Sequence, residues 1–144
     1  VTAKLAKNLS QAIGADLFEI QPEQPYTTAD LDWTNKNSRS TREMTDKTFR
    51  PAITGKVENM EQYDTVYVGF PIWWYVAPTI INTFLESYDL AGKTVVPFAT
   101  SGGSGMGRTN TELEQSCKGA RLKEGKRFNI NVKEAELKTW ADQF

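Results

Sequence analysis

Between Tyr63 and Gly107 the chain carries four charged side chains in 45 residues: Asp64, Glu86, Asp89 and Lys93. A stretch so poor in charge must be mostly buried, or must line something other than bulk water. Within it, residues 64–70 are a continuous β-branched and aromatic run, as central strands buried on both faces are, and residues 93–100 read as another buried strand. Between them, residues 78–88 place Ile80, Ile81, Phe84 and Leu85 at helical spacing. Pro78 stands where a first helical turn tolerates proline, whereas Pro97 removes a ladder donor from the second strand. Strand, helix, strand in this order predicts a parallel pair joined by a crossover helix.

The flanking segments extend the alternation. Ala3, Leu5, Ala6, Leu9, Ala12 and Ile13 lie opposite Lys4, Lys7, Asn8 and Gln11, an amphipathic helix that stops at Gly14. Residues 15–20 read as a short strand closed by Gln21 and Pro22. Residues 21–62 turn polar and rich in turn formers, an insertion in which residues 30–43 include a short helix and Tyr26, Leu31, Trp33, Phe49, Pro51 and Ile53 are the candidate pins to the body. Past residue 107 the pattern predicts a helix over 109–116, a short strand around 127–132 and a helix over 134–142. The whole reads as one α/β domain over residues 1–144, a three-layer open parallel sheet with helices on both faces. A helix starting at residue 2 leaves its apolar face and the adjoining strand position without a partner, so a preceding N-terminal segment is expected.

Composition removes several kinds of chemistry. The 144 residues contain no histidine and one cysteine, Cys117. No Ser-His-Asp or Cys-His site exists in such a chain, nor a Cys/His zinc site, and no disulfide framework. Redox or proton chemistry must come from a bound cofactor or from carboxylates, Tyr or Lys. The formal net charge of −1 argues against nucleic acid as a partner. No apolar run approaches the ~20 residues of a membrane span, and a single thiol suits a reducing compartment, so a cytoplasmic protein is expected. Cys117 reads as a small buried apolar residue, and Lys118, Arg121, Lys123, Lys126 and Arg127 as a solvated basic face.

Ligands of open parallel sheets bind outside the carboxyl ends of the strands, which selects two loops. In the first, Pro71, Ile72, Trp73, Trp74 and Tyr75 set three aromatic residues in a row just past a buried strand. Their side chains point in different directions, so the core cannot take all three. They suit a planar heteroaromatic ring held by stacking, or else they cover the sheet end or a subunit contact. In the second, Thr100, Ser101, Gly102, Gly103, Ser104 and Gly105 bring backbone amides and hydroxyls near the same place, since glycine lets backbone approach closely. A flexible connector has the same composition. Two such loops at adjacent strand ends make a joint signal stronger than either.

With these residues in view, the chain resembles the flavodoxins, and more closely flavodoxin-like bacterial proteins with Pro-Ile-Trp-Trp, here Pro71 to Trp74, followed by Thr-Ser-Gly-Gly-Ser-Gly, here Thr100 to Gly105. The resemblance runs from the first helix to the last. It implies a parallel sheet in flavodoxin order, 2-1-3-4-5, with non-covalently bound FMN. It also implies flavin contacts from Pro71, Ile72, Trp73 and Trp74, with a tryptophan or Tyr75 stacked on the ring and Ser101, Gly102, Gly103, Ser104 and Gly105 along its pyrimidine edge. Val1 and Thr2 look like the last two residues of the family's phosphate loop. Thr2 would then offer its hydroxyl where the helix N-terminus favours the phosphate charge. By the same match, the family's first strand and most of that loop lie outside the sequence.

The expectation that follows is a cytoplasmic FMN protein carrying electrons between redox partner proteins or to a small acceptor. An FMN-dependent NAD(P)H or quinone-type oxidoreductase is the alternative, with the 21–62 insertion able to wall a second substrate. A flavin-free interaction module on the same fold is a third.

Overall fold

The computed structural model describes every residue except Val1, Trp33, Lys47, 73–75, 101–105 and Ile130. The chain opens with helix α1 (Thr2–Ile13), which buries Leu5 and Leu9 and ends at Gly14, whose φ of +67° only glycine adopts without strain. Strand β1 (Gln21–Pro22) pairs antiparallel with β2 (Ile53–Thr54), and helix α2 (Arg39–Thr45) lies between them. A 3-10 turn at Met60–Gln62 leads into β3 (Thr65–Pro71), followed by α3 (Thr79–Glu86), β4 (Thr94–Thr100), α4 (Thr109–Glu114), β5 (Arg121–Leu122), β6 (Lys126–Phe128) and α5 (Glu134–Ala141).

Strands β3 and β4 run parallel in continuous register from Thr65↔Thr94 to Pro71↔Thr100, and β5 and β6 both lie parallel on the other edge of β4. Alternation along the strands divides the core in two. Val68, Phe70, Val95 and Ala99 face α3 and α4, packing on Ile80, Ile81, Phe84, Leu85 and Leu113. Val96, Phe98 and Phe128 face α1 and α5, packing on Leu5, Leu9, Leu137 and Trp140. The expected three layers and parallel sheet are present. Gly69 is required by close approach: a Cβ there would stand 2.3 Å from Cζ of Phe98.

Proline inside β4 is accommodated by a gap in the neighbouring ladder. β5 pairs with Thr94 and Val95 and β6 with Phe98 to Thr100, so Val96 and Pro97 have no partner on that edge among the described residues. The missing N–H of Pro97 therefore falls where the ladder is interrupted. This also corrects the strand expected around 127–132: it lies earlier, at 121–122 and 126–128, because its partner dictates where it can pair.

Two further expectations change. Residues 15–20 form no strand, and Leu17 is 55% and Phe18 39% exposed. Without a hydrogen-bonded neighbour an apolar run has no ladder to join, whatever its propensity. The segment is held instead by the Tyr63 hydroxyl donating to Asp16 Oδ2 (2.5 Å) and by Phe18 stacking on Phe84 (6.1 Å). β3 in turn is not buried along its length: Val68 and Phe70 are, whereas Thr65, Val66 and Tyr67 are only partly so.

The insertion is structured from within. Ser38 caps α2 by accepting from Thr41 N, and the buried Glu43 carboxylate accepts from the Tyr26 hydroxyl (2.6 Å) and from Arg39 Nε (2.7 Å). Burial, with Glu43 beside it, pushes the Tyr26 phenol well above its ordinary range. Of the six pins expected from sequence, Pro51 is buried, Tyr26 and Ile53 partly so, Leu31 and Phe49 exposed; Trp33 lies outside the described residues. The insertion meets the body through Ile53, Val57 and the buried Met60, which pack with the core on the α3 side, and through Arg50 Nε donating to Glu86 Oε1 (3.0 Å).

Candidate functional site

The register of β3 and β4 ends both strands together, Pro71 opposite Thr100, and Ile72 N extends the ladder by donating to Thr100 O (3.1 Å). The N-terminus of α1 arrives at the same point. The Thr2 and Thr100 hydroxyl oxygens are 2.7 Å apart across 98 residues of sequence, one donating to the other. Four of the sequence-selected residues, Thr2, Pro71, Ile72 and Thr100, are thus brought to one edge of the sheet. The other eight, Trp73, Trp74, Tyr75, Ser101, Gly102, Gly103, Ser104 and Gly105, lie outside the described residues. They follow Ile72 and Thr100 in sequence, so both loops spring from this edge.

The character of the edge comes from backbone and hydroxyl groups. The first turn of α1 holds no acidic side chain, so its free amides and positive end are offset by nothing local. Helix α3 also begins here, capped by Pro78, which has no side-chain oxygen to satisfy its amides. Thr79 follows, buried, its Oγ1 without a hydrogen-bond partner among the described residues. Sequence reasoning missed Thr79; its signal was a polar residue directly after the helix-starting proline at the end of a selected loop.

Groups with displaced pKa values lie elsewhere. Arg50, with help from the Ser116 hydroxyl (2.6 Å), holds the Glu86 carboxyl below its ordinary value. Glu86 ends α3, whose start is at the site, so this ion pair is about a helix length, some 12 Å, removed. Burial pushes the Cys117 thiol up, and its Sγ points to Leu113 O (3.4 Å), as expected of an inert interior cysteine. Among the described residues no three His, Cys, Asp or Glu side chains are placed to hold a metal ion. Among them, too, no helix is long and apolar enough to cross a membrane. The edge is therefore suited to holding an electron-rich or anionic group by hydrogen bonds and dipoles.

Comparison with known proteins gives a consistent picture. The profile of the family described as flavodoxin matches residues 1–144. The crystal structure of a candidate flavoprotein from Bacteroides eggerthii DSM 20697 is 51% identical and superposes with a TM-score of 0.92, covering 99% of this chain and 89% of that one. One from Bacteroides uniformis ATCC 8492 is 46% identical with a TM-score of 0.92, covering 99% and 90%. A flavoprotein from Lactobacillus acidophilus NCFM, crystallised in complex with FMN, is 20% identical with a TM-score of 0.74, covering 97% and 90%, a likeness of fold alone. No curated protein matches the chain.

Proposed function

Since the chain belongs to the flavodoxin family, we propose that it binds FMN non-covalently at the carboxyl edge of the sheet and carries electrons between redox partner proteins or to a small acceptor. The observation that carries this is the convergence of the α1 N-terminus, Thr2, Thr100 and the ends of β3 and β4 on one edge furnished with hydroxyls and amides. Those groups fit the cofactor: hydroxyl and amide donors at a helix N-terminus suit a phosphate, and the unpartnered Thr79 hydroxyl suits a polar ring edge. Bound FMN would supply one- and two-electron transfer, chemistry that no side chain of this chain provides.

The protein's part is positional and electrostatic. The Thr2 hydroxyl and the first amides of α1 would hold the phosphate, and the mutual hydrogen bond with Thr100 fixes Thr2 beside the strand ends. Pro71, Ile72, Trp73, Trp74 and Tyr75 would form the wall against the ring, an indole or phenol face stacking on it and excluding water. Thr100, Ser101, Gly102, Gly103, Ser104 and Gly105 would give the pyrimidine edge its hydrogen bonds. Carriage is favoured over oxidoreductase chemistry by the insertion's anchor, which ties residue 50 to the end of α3 remote from the site rather than over it. The buried, unreactive setting of Cys117 suits a cytoplasmic protein.

Titrating the protein with FMN while following tryptophan and flavin fluorescence tests the reading. One-to-one quenching is expected, weakened at least tenfold by Trp73→Ala or Trp74→Ala if that ring carries the stacking. A folded protein that leaves FMN fluorescence unchanged refutes it, and sustained NAD(P)H oxidation with a quinone acceptor transfers it to the oxidoreductases.

A further inference from the structure

Thr79 Oγ1 is a buried side-chain oxygen without a hydrogen-bond partner among the described residues. The residue is 7% exposed, and Ala77, Pro78 and Ile80 around it are buried as well, so bulk water does not solvate the hydroxyl in place of a partner. The polar groups just below it are all satisfied. Asn82 Nδ2, three residues on, donates to Ser116 Oγ (2.8 Å) and Glu112 O (3.1 Å), and Thr83 Oγ1 donates to Thr79 O (3.5 Å). Residues three apart share a helix face, so Thr79 lies one turn nearer the carboxyl edge of the sheet on the side turned to α4. An orphan hydroxyl at that one position, in the first turn of an eight-residue helix whose cap has no side-chain oxygen, leaves a donor open to a partner beyond the described residues.

We propose that the Thr79 hydroxyl is a further flavin contact, donating directly or through one ordered water to an acceptor on the polar edge of the ring. The inference rests on the FMN reading above and extends it to a residue of α3. The positive end of α3 points the same way, so contact here favours the electron-rich reduced ring over the oxidised one. Removing the hydroxyl should weaken binding and also make the flavin harder to reduce.

The test compares the full chain as wild type, Thr79→Val and Thr79→Ser in FMN titration, thermal melting without FMN and flavin midpoint potential. Valine keeps the shape and removes the hydroxyl. Thr79→Val is expected to bind FMN about tenfold more weakly, the size of one lost hydrogen bond, with a lower potential. Its flavin-free melting temperature should stay level or rise, because no partner among the described residues is lost. Thr79→Ser should restore affinity and potential. FMN affinity and potential unchanged in Thr79→Val overturn the contact and leave the hydroxyl to a structural water. Affinity falling in step with flavin-free stability overturns it too, as a packing effect. Wild type that fails to bind FMN refutes the proposed function itself, and the contact falls with it.

Discussion

Strand β4 has hydrogen-bonded neighbours on both edges and all seven of its residues are buried; β3, equally long and equally rich in β-branched and aromatic residues, has one neighbour among the described residues and buries two. The faces of both strands meet helices, so the difference lies in the strand direction of the sheet. β4 is closed off by β3 and by β5 and β6, whereas the outer edge of β3 meets no strand among the described residues. Burial is thus a property of a strand's neighbours as much as of its residues. The two strands differ in another way that favours function: both end at the site, but the ladder fixes β4 to three other strands, making Thr100 the firmer of the two supports.

The sharpest way to break this comparison is where the Phe98 ring of β4 lies against Gly69 of β3. Gly69→Ala drives a methyl group into the Phe98 ring and should cost about 3 kcal/mol, at the upper end of overpacking penalties, read as a lowered denaturation midpoint. Adding Phe98→Leu should recover part of that loss, since the obstructing ring is removed. Matched truncations come next. Val96→Ala on β4 should cost about 2–3 kcal/mol, from lost transfer energy and the cavity left behind, and Val66→Ala on β3 about 1 kcal/mol, since Val66 is partly exposed to begin with. Equal costs in urea unfolding would show that the outer edge of β3 is covered in solution as fully as β4.

A smaller effect is expected where β4 meets α1. Thr100→Val removes the hydroxyl paired with Thr2 and should cost about 1 kcal/mol in flavin-free stability, with a larger proportional loss of FMN affinity in the titration. The smallest concerns Glu86, far from the site. Its carboxyl titrates below its ordinary value in the folded protein, chiefly through the hydrogen bond from Arg50, so the ion pair contributes above the unfolded pKa, near 4.3, and is lost as pH falls through the lowered folded value. Because both side chains are partly solvated, Glu86→Gln should flatten the acid limb of the stability curve by no more than a few tenths of a kcal/mol.

Where residues interact with near neighbours in sequence, reading the chain sufficed. The helical spacing of Leu5 and Leu9, of Ile80 and Phe84, and of Leu137 and Trp140 marks α1, α3 and α5 within a residue or two. The two buried runs read from sequence are β3 and β4, and their parallel register ends them together at Pro71 and Thr100. Failures came where pairing decides. Residues 15–20 have the composition of a strand and no ladder, and the last strand shifted to meet β4 on either side of Pro97. Of the insertion's expected apolar anchors Ile53 packs on the core, but Val57 and the buried Met60 beside it were not singled out, nor was the arginine on a glutamate, because each depends on which part of the body the segment meets.

By itself, then, the sequence determined the local helices, the parallel alternation, the absence of histidine chemistry and the two candidate loops, because each depends on side-chain type and on separations of a few residues. Only the tertiary structure decided that Thr2 meets Thr100, that Gly69 lies under Phe98, that Thr79 is buried without a partner among the described residues, and that β4 pairs with β5 and β6 on either side of Pro97. These are facts of approach between segments tens of residues apart, set by register and by which edge of each strand finds a neighbour, and neither composition nor periodicity contains them.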